Sequence, residues 1–117
     1  MLPKKSRIQR KLFSKLLVNS KHINSGVFSL RFIIDPSINE PRFGVSVSKK
    51  ISKSAVVRNT IRRQTYTSLK PYIRDFPHGL FLFVAKTGIE KLKSEKLREE
   101  IKKILKTAPF VLEGKKS

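Results

Sequence analysis

Residues Leu80-Phe81-Leu82-Phe83-Val84 form an unbroken run of large apolar side chains. An exposed or half-exposed strand alternates, so a run of this kind marks a strand buried on both faces, at the centre of a sheet. Extended to Ala85 it remains far shorter than the roughly 20 residues a membrane-spanning helix needs. The run therefore asks for a core made by the rest of the chain. The 117 residues are enough for one domain with one such core. Eight Phe are among the 38% of residues that are apolar, more bulk than a disordered chain would carry.

The remaining pattern supplies partners for that strand, which is predicted over Gly79 to Lys86. Val27 to Ile34 alternates, with Phe28, Leu30, Phe32 and Ile34 on one side and Ser29, Arg31 and Ile33 on the other. Arg42 to Ser48 alternates too: Phe43, Val45 and Val47 point inward, while Gly44, Ser46 and Ser48 leave a face with little side chain. Asp35 to Pro41, with two prolines, reads as a hairpin connection between these two strands. Asn19 to Gly26 reads as a loop. Ser54 is placed to cap a helix running to about Tyr72, with Val57, Ile61, Leu69 and Tyr72 on its inner arc and Pro71 marking a kink or early end. Leu12, Phe13, Leu16 and Leu17 have helical spacing over 10–18. Ser94 is placed to cap a last helix with Leu97, Ile101, Ile104 and Leu105 inside. Residues 1–9 read as a basic arm and 107–117 as a tail. The expectation is an α+β fold, a two-layer α/β sandwich with a small mixed sheet and flanking N- and C-terminal helices. A helix between two strands places those strands parallel.

Charge narrows the function. Lys and Arg number 27 against eight acids, a formal net charge of +19. The residues 1–34 hold eight Lys/Arg and no acid, and 41–74 hold nine and again no acid, whereas 90–117 mix nine basic with five acidic residues. A polyanionic partner accounts for two long acid-free blocks; a solvated helix face accounts for the mixed one. No basic amphipathic helix is left without a core assignment, so a membrane surface is not the expected partner. The chain has no cysteine, which suits a reducing cytoplasm, and the basic N-terminus leads into no apolar signal core.

Groups for covalent chemistry are sparse. Nucleases commonly use a carboxylate cluster for two metals or a histidine acid/base pair. The basic blocks hold no carboxylate. Glu95, Glu99 and Glu100 lie among lysines on the last helix and read as partners of Lys91, Lys96 and Lys103. His22 and His78 are the two histidines, both in expected loops. No phosphate loop, metal-ligand spacing or nucleophile motif is present. The expectation is an RNA-binding chain with no catalytic residue and no metal site of its own; a histidine nuclease and a basic ribosomal or general RNA-binding protein are the competing readings.

The stretch FGVSVSKKISKSAVVRNTIRRQTYTSLK, Phe43 to Lys70, differs in kind. After a small-residue strand come Lys49, Lys50 and Lys53, then a helix presenting Arg58, Asn59, Arg62, Arg63 and Lys70 on contiguous rows. Arginine's planar fork engages phosphate oxygens bidentately and stacks on bases. Asn59 can read or brace an edge, or simply cap a local backbone group. Tyr66, in the Arg58–Arg62 stripe, offers a stacking face.

The strand Phe43-Gly44-Val45-Ser46-Val47-Ser48, followed by Lys49-Lys50, Val56-Val57-Arg58-Asn59 and Arg62-Arg63, closely resembles the protein component of bacterial ribonuclease P. The arm Arg7 to Phe13, the strand from Phe28 and the strand from Leu80 fall in the order of that family. The chain departs from it at Thr60 and Tyr66, where basic residues are common, and around Ser52–Ser54, where a glycine is common. The resemblance implies a ribonucleoprotein that removes the 5′ leader from precursor tRNA, with an RNA subunit and Mg²⁺, held mainly by that RNA, carrying the catalysis. It implies a left-handed crossover between the strands at 42–48 and 79–86, against the general right-handed rule; the sequence leaves the oligomeric state open, with one copy per RNA as the expectation. By matching position, Arg58, Asn59, Arg62 and Arg63, with Lys49, Lys53 and Lys70 beside them, are expected to face the catalytic RNA. Phe13, Leu17, Arg31, Ser46, Ser48, Lys50, Arg58 and Tyr66 are expected around a leader cleft between the sheet and the central helix. Periodicity alone makes Phe13 equally a core residue, and a plain structural role is equally open for Leu17 and Arg31.

Overall fold

The computed structural model describes residues 20–108 together with Ile8 and Leu16. The elements in order are β1 (Lys21–Ser25), β2 (Phe28–Ile34), β3 (Arg42–Ser46), α1 (Ala55–Leu69), a 3-10 segment (Lys70–Asp75), β4 (Gly79–Ala85), a 3-10 turn (Ile89–Lys91) and α2 (Ser94–Thr107). The expected arm and first helix lie outside the described residues except for these two: Ile8, whose N–H donates to the Phe43 carbonyl at 2.9 Å, and Leu16, which is helical and buried. Of the expected tail, Thr107 closes α2 and Ala108 is buried.

The sheet has the order β1-β2-β4-β3. β4 is antiparallel to β2 and parallel to β3, so the apolar run does occupy the centre. One of its faces carries Phe81, Phe83 and Ala85 into a core with Phe28, Phe43, Ile61, Leu69, Leu97 and Ile101. The other carries Leu80 and Leu82 against Ile8 and Leu16. Ring edges lock the first layer: Phe76 meets both Phe43 and Phe81 with centroids 4.9 Å apart. Burying each such ring contributes about 1.5–3 kcal/mol.

Several expectations need correction. Asn19 to Gly26 is not a loop: Lys21–Ser25 is a strand paired antiparallel with β2, from Lys21↔Phe32 to Ser25↔Phe28. Its sequence, KHINS, has one large apolar residue, so an edge strand leaves no hydrophobic alternation to read. Asp35 to Pro41 is not a hairpin, because β4 lies between β2 and β3. The segment instead opens with Asp35 accepting from the Ser37 N–H at 2.9 Å and donating its own N–H to the His78 carbonyl at 3.0 Å. Ile34, at the strand end, is 48% exposed and not core.

α1 starts where Ser54 predicts, its Oγ accepting from the Val57 N–H at 3.3 Å. It stops at Leu69, with Pro71 seated in the first turn of the 3-10 segment, where a missing N–H removes no helical bond. Val57, expected on the inner arc, is 38% exposed. Ser94 is not the cap of α2; it is the first helical residue, and Lys93 before it provides no side-chain cap. Glu100 does not simply pair with a lysine. It reaches across to β1–β2 and accepts from the Val27 N–H at 3.3 Å. Gly26 makes this turn with φ +56, and a Cβ there would fall on the Glu100 carboxylate.

Candidate nucleic-acid interface

The segment after β3 is built to hold lysines outward. Ile51 is buried and its N–H donates to the Ser48 carbonyl at 3.0 Å, closing a tight turn. Ser52 Oγ then accepts from the Ser54 N–H at 3.2 Å, leading directly into the helix cap. Around this apolar anchor Ser48, Lys49, Lys50 and Lys53 are all exposed.

α1 continues the same surface. Arg58 is half-buried and donates from Nη1 to the Ser52 carbonyl at 2.8 Å, tying helix to turn. A guanidinium has five N–H groups, so the others remain for phosphate. Arg62 Nη2 donates to Asn59 Oδ1, so Asn59 braces an arginine and does not cap the backbone. Arg63 and Lys70 are exposed. The first turn of α1 has no acid, and its positive dipole end adds to the side-chain charge. Val56, 74% exposed, and Val57 flank these groups. Hydrophobicity makes Val57 look like core; its place beside the arginines is the signal that points the other way.

The opposite side of the sheet carries a second surface. Phe43 and Val45 point into the helix-side core, so Gly44 and Ser46 point away from α1. In register with them across β4 are Leu82 and Val84, and beyond these on β2 are Arg31 and Ser29. β1 adds His22 opposite Arg31 and Asn24 opposite Ser29. Arg31, Ser46, His22 and Asn24 are exposed. Thus Arg31 and Ser46 share one face, one rung and two strands apart. Sequence reasoning misses Ser29, His22 and Asn24 on this surface, the latter two because β1 carries no strand pattern.

This arrangement corrects the expected cleft. The space between the sheet and α1 is filled by phenylalanine and aliphatic packing, so any groove on the Ser46 face lies on the far side from α1. Tyr66 is 5% exposed and belongs to that packing. It offers no stacking face, and Arg58 lies on α1 with its guanidinium bonded to the Ser52 carbonyl. Phe13 and Leu17 lie outside the described residues. Leu16, between them in sequence, packs with Ile8 against Leu80 and Leu82 on the Ser46 side.

The histidines do not form a pair. His22 sits opposite Arg31, whereas the His78 carbonyl is bonded to Asp35. Four positions along an extended chain separate those partners by about 13 Å. Among the described residues no three His, Cys, Asp or Glu side chains come together as a metal site, and no helix is long and apolar enough to cross a membrane.

Comparison with known proteins settles the family. The family model described as Ribonuclease P matches residues 2–109. The chain belongs to the ribonuclease P protein family. It is 32% identical over 116 residues to the ribonuclease P protein component of Pseudanabaena, covering 97% of this chain and 99% of that protein. It is 36% identical over 81 residues to that of Lactococcus lactis subsp. lactis, covering 65% and 66%. The fold is shared with the Staphylococcus aureus RNase P protein, at a TM-score of 0.83, 21% identity and coverage of 91% and 97%. It is shared also with the Thermotoga maritima protein, at 0.71, 17%, 81% and 90%. The chain is accordingly the protein subunit of a ribonucleoprotein endoribonuclease that processes the 5′ end of tRNA. The general RNA-binding alternative falls, since it offers no account of a match along nearly the whole chain.

Proposed function

We propose that this subunit binds its ribonuclease P RNA through the Lys49–Lys53 turn and the arginine rows of α1. The Ser46 face of the sheet then takes the single-stranded leader of precursor tRNA in the cytoplasm. The observation that carries this is the separation of two RNA-compatible surfaces by one packed layer. On one side lie Arg58, Arg62 and Arg63 with three lysines. On the other lies exposed Ser46, next to buried Gly44, with exposed Arg31 across the sheet. Paired surfaces of this kind let one small protein grip a large RNA and its substrate together.

The division of labour follows from the residues. Cleavage needs water delivered to one phosphodiester and charge stabilised on the leaving oxygen, work for which Mg²⁺ is suited. The described side chains gather no carboxylate or histidine cage, so they do not fit that ion. In this reading it is held by the RNA, and no step passes through the protein. The chain supplies binding and orientation: arginine forks for phosphates, a strand floor that backbone can approach, and Arg31 as a cation on that floor.

Ser46→Phe tests the leader surface. A ring at this exposed strand position fills the floor without entering the core. It is expected to weaken binding of leader-bearing precursor to the reconstituted holoenzyme by about tenfold, within the 1–3 kcal/mol that one stacked base is worth. Binding of mature tRNA and of the catalytic RNA should hold. Equal weakening of precursor and mature tRNA places the leader elsewhere.

A further inference from the structure

α1 and α2 enclose a groove of about 300 Å³ lined by Arg63, Gln64, Thr67, Ser68, Ser94 and Arg98. It continues into a second depression of about 210 Å³ that shares Thr67, Ser68 and Arg98 and ends at Tyr72 and Lys102. The groove is therefore one trough along the helix pair, with Arg63 on one wall and Arg98 and Lys102 on the other. Among the described residues no carboxylate pairs with these three cations, and Glu95 and Glu99 line neither part. The α2 row 94, 98 and 102 is free of acid although the helix as a whole is mixed.

The hydroxyls on the α1 wall are oriented by their own bonds. Thr67 Oγ1 donates to the Arg63 carbonyl at 2.9 Å, and Ser68 Oγ donates to the Gln64 carbonyl at 2.9 Å. A hydroxyl has one proton and two lone pairs. With the proton committed to a helix carbonyl, each oxygen keeps acceptor capacity, and Thr67, the exposed one of the two, can offer it to a ligand in the trough. Cations on both rims with an acceptor on the wall complement a chain that offers phosphate oxygens and hydroxyl donors together. RNA does so, through its 2′-OH groups.

We infer that the α1–α2 trough is a further RNA-backbone site, in which the catalytic RNA continues past Arg63 onto α2, Arg98 and Lys102 holding phosphates and Thr67 accepting from a ribose 2′-OH. This rests on the reading of α1 as the face toward ribonuclease P RNA. It also assigns a role to one side of α2, a helix whose mixed charge otherwise reads as plain solvated surface.

The test measures binding of the full chain to its ribonuclease P RNA over a range of salt. The Arg98→Ala/Lys102→Ala variant is expected to flatten the salt dependence, its log–log slope falling by about one for each phosphate that is no longer neutralised. Thr67→Val keeps the shape and removes the acceptor, and should weaken binding about 2- to 10-fold. Lys96→Ala/Lys103→Ala removes the same charge from the opposite side of α2 and should leave the slope nearly unchanged. Equal effects from the two double variants mean diffuse attraction and overturn the site. An inert Arg98→Ala/Lys102→Ala alongside an effective Arg58→Ala overturns the trough alone; if Arg58→Ala is inert as well, the reading of α1 falls with it. A readout independent of affinity comes from Ser94→Cys, the only thiol the chain would then have, carrying a tethered iron chelate. Hydroxyl-radical cuts in the catalytic RNA support the trough as an RNA site, and their absence in the intact complex refutes it.

Discussion

The two helices lie side by side against one face of the sheet, yet they are stabilised differently. α2 buries Leu97, Ile101, Ile104 and Leu105 in a clean stripe and has no side-chain cap at its start. α1 has a cap from Ser54 but buries nothing in its first turn, where Val56 and Val57 are exposed. Packing holds α2 along its length. The leading turn of α1 projects past the core and depends on local bonds, from Val57 to Ser54 and from Arg58 to Ser52. A helix end that carries arginines away from the core is free to meet a large partner; a helix that is all core stripe is not. The trough between them gives α2 a part in binding only through its acid-free row.

The largest effect expected from this contrast is on stability. Ile101→Ala, in the α2 stripe and fully buried, should lower unfolding free energy by about 2–5 kcal/mol, measured by denaturant titration. A loss under about 1 kcal/mol would mean that α2 is not held by its core. Next comes binding. Arg58→Ala or Arg62→Ala should weaken association with ribonuclease P RNA by about 1–3 kcal/mol, and Lys103→Ala, on the solvated side of α2, by far less. For Arg58 the bond to Ser52 also tethers the turn, so its removal should loosen protection of amides near Lys53 in hydrogen exchange, whereas Arg62→Ala should not. Equal binding losses at all three positions would erase the distinction between the helices.

How much of this is legible in the sequence follows the same line. α2 is readable because a 3.6-residue period repeats through Leu97, Ile101, Ile104 and Leu105 and packing obeys it. β4 is readable because a central strand hides a short run such as Leu80 to Phe83 on both faces. The central position of β4 between β2 and β3 does not show in the Asp35–Pro41 segment, which looks like a hairpin because proline-rich turn chemistry is local and strand order is not. β1 is invisible because an edge strand is specified by backbone pairing, and KHINS carries no pattern. Within the site, the exposed lysines and arginines stand out through the missing acids. Tyr66 misleads because the Arg58–Arg62–Tyr66 row runs from two half-buried arginines into the core as α1 descends onto the sheet, a change of surroundings along one stripe that helical spacing does not encode.

The smallest effects separate the cap from the exposed valines. Ser54→Ala removes the one side-chain bond to the α1 first-turn amides and should cost about 1 kcal/mol, within the usual 0.5–2 for a cap of this kind. The same substitution should weaken RNA binding slightly, because Arg58 is positioned by the turn that Ser54 closes. Val56→Ala should behave in the reverse sense. Val56 is 74% exposed, so its removal should shift stability by no more than about 0.5 kcal/mol, and alanine's better helix propensity offsets part of that. If Val56 does no more than occupy a solvent position, RNA binding will not change either. A measurable loss of binding with unchanged stability would show that the apolar side chain packs on the RNA beside Arg58 and Asn59. That would sharpen the contrast with α2, whose apolar residues act only within the protein.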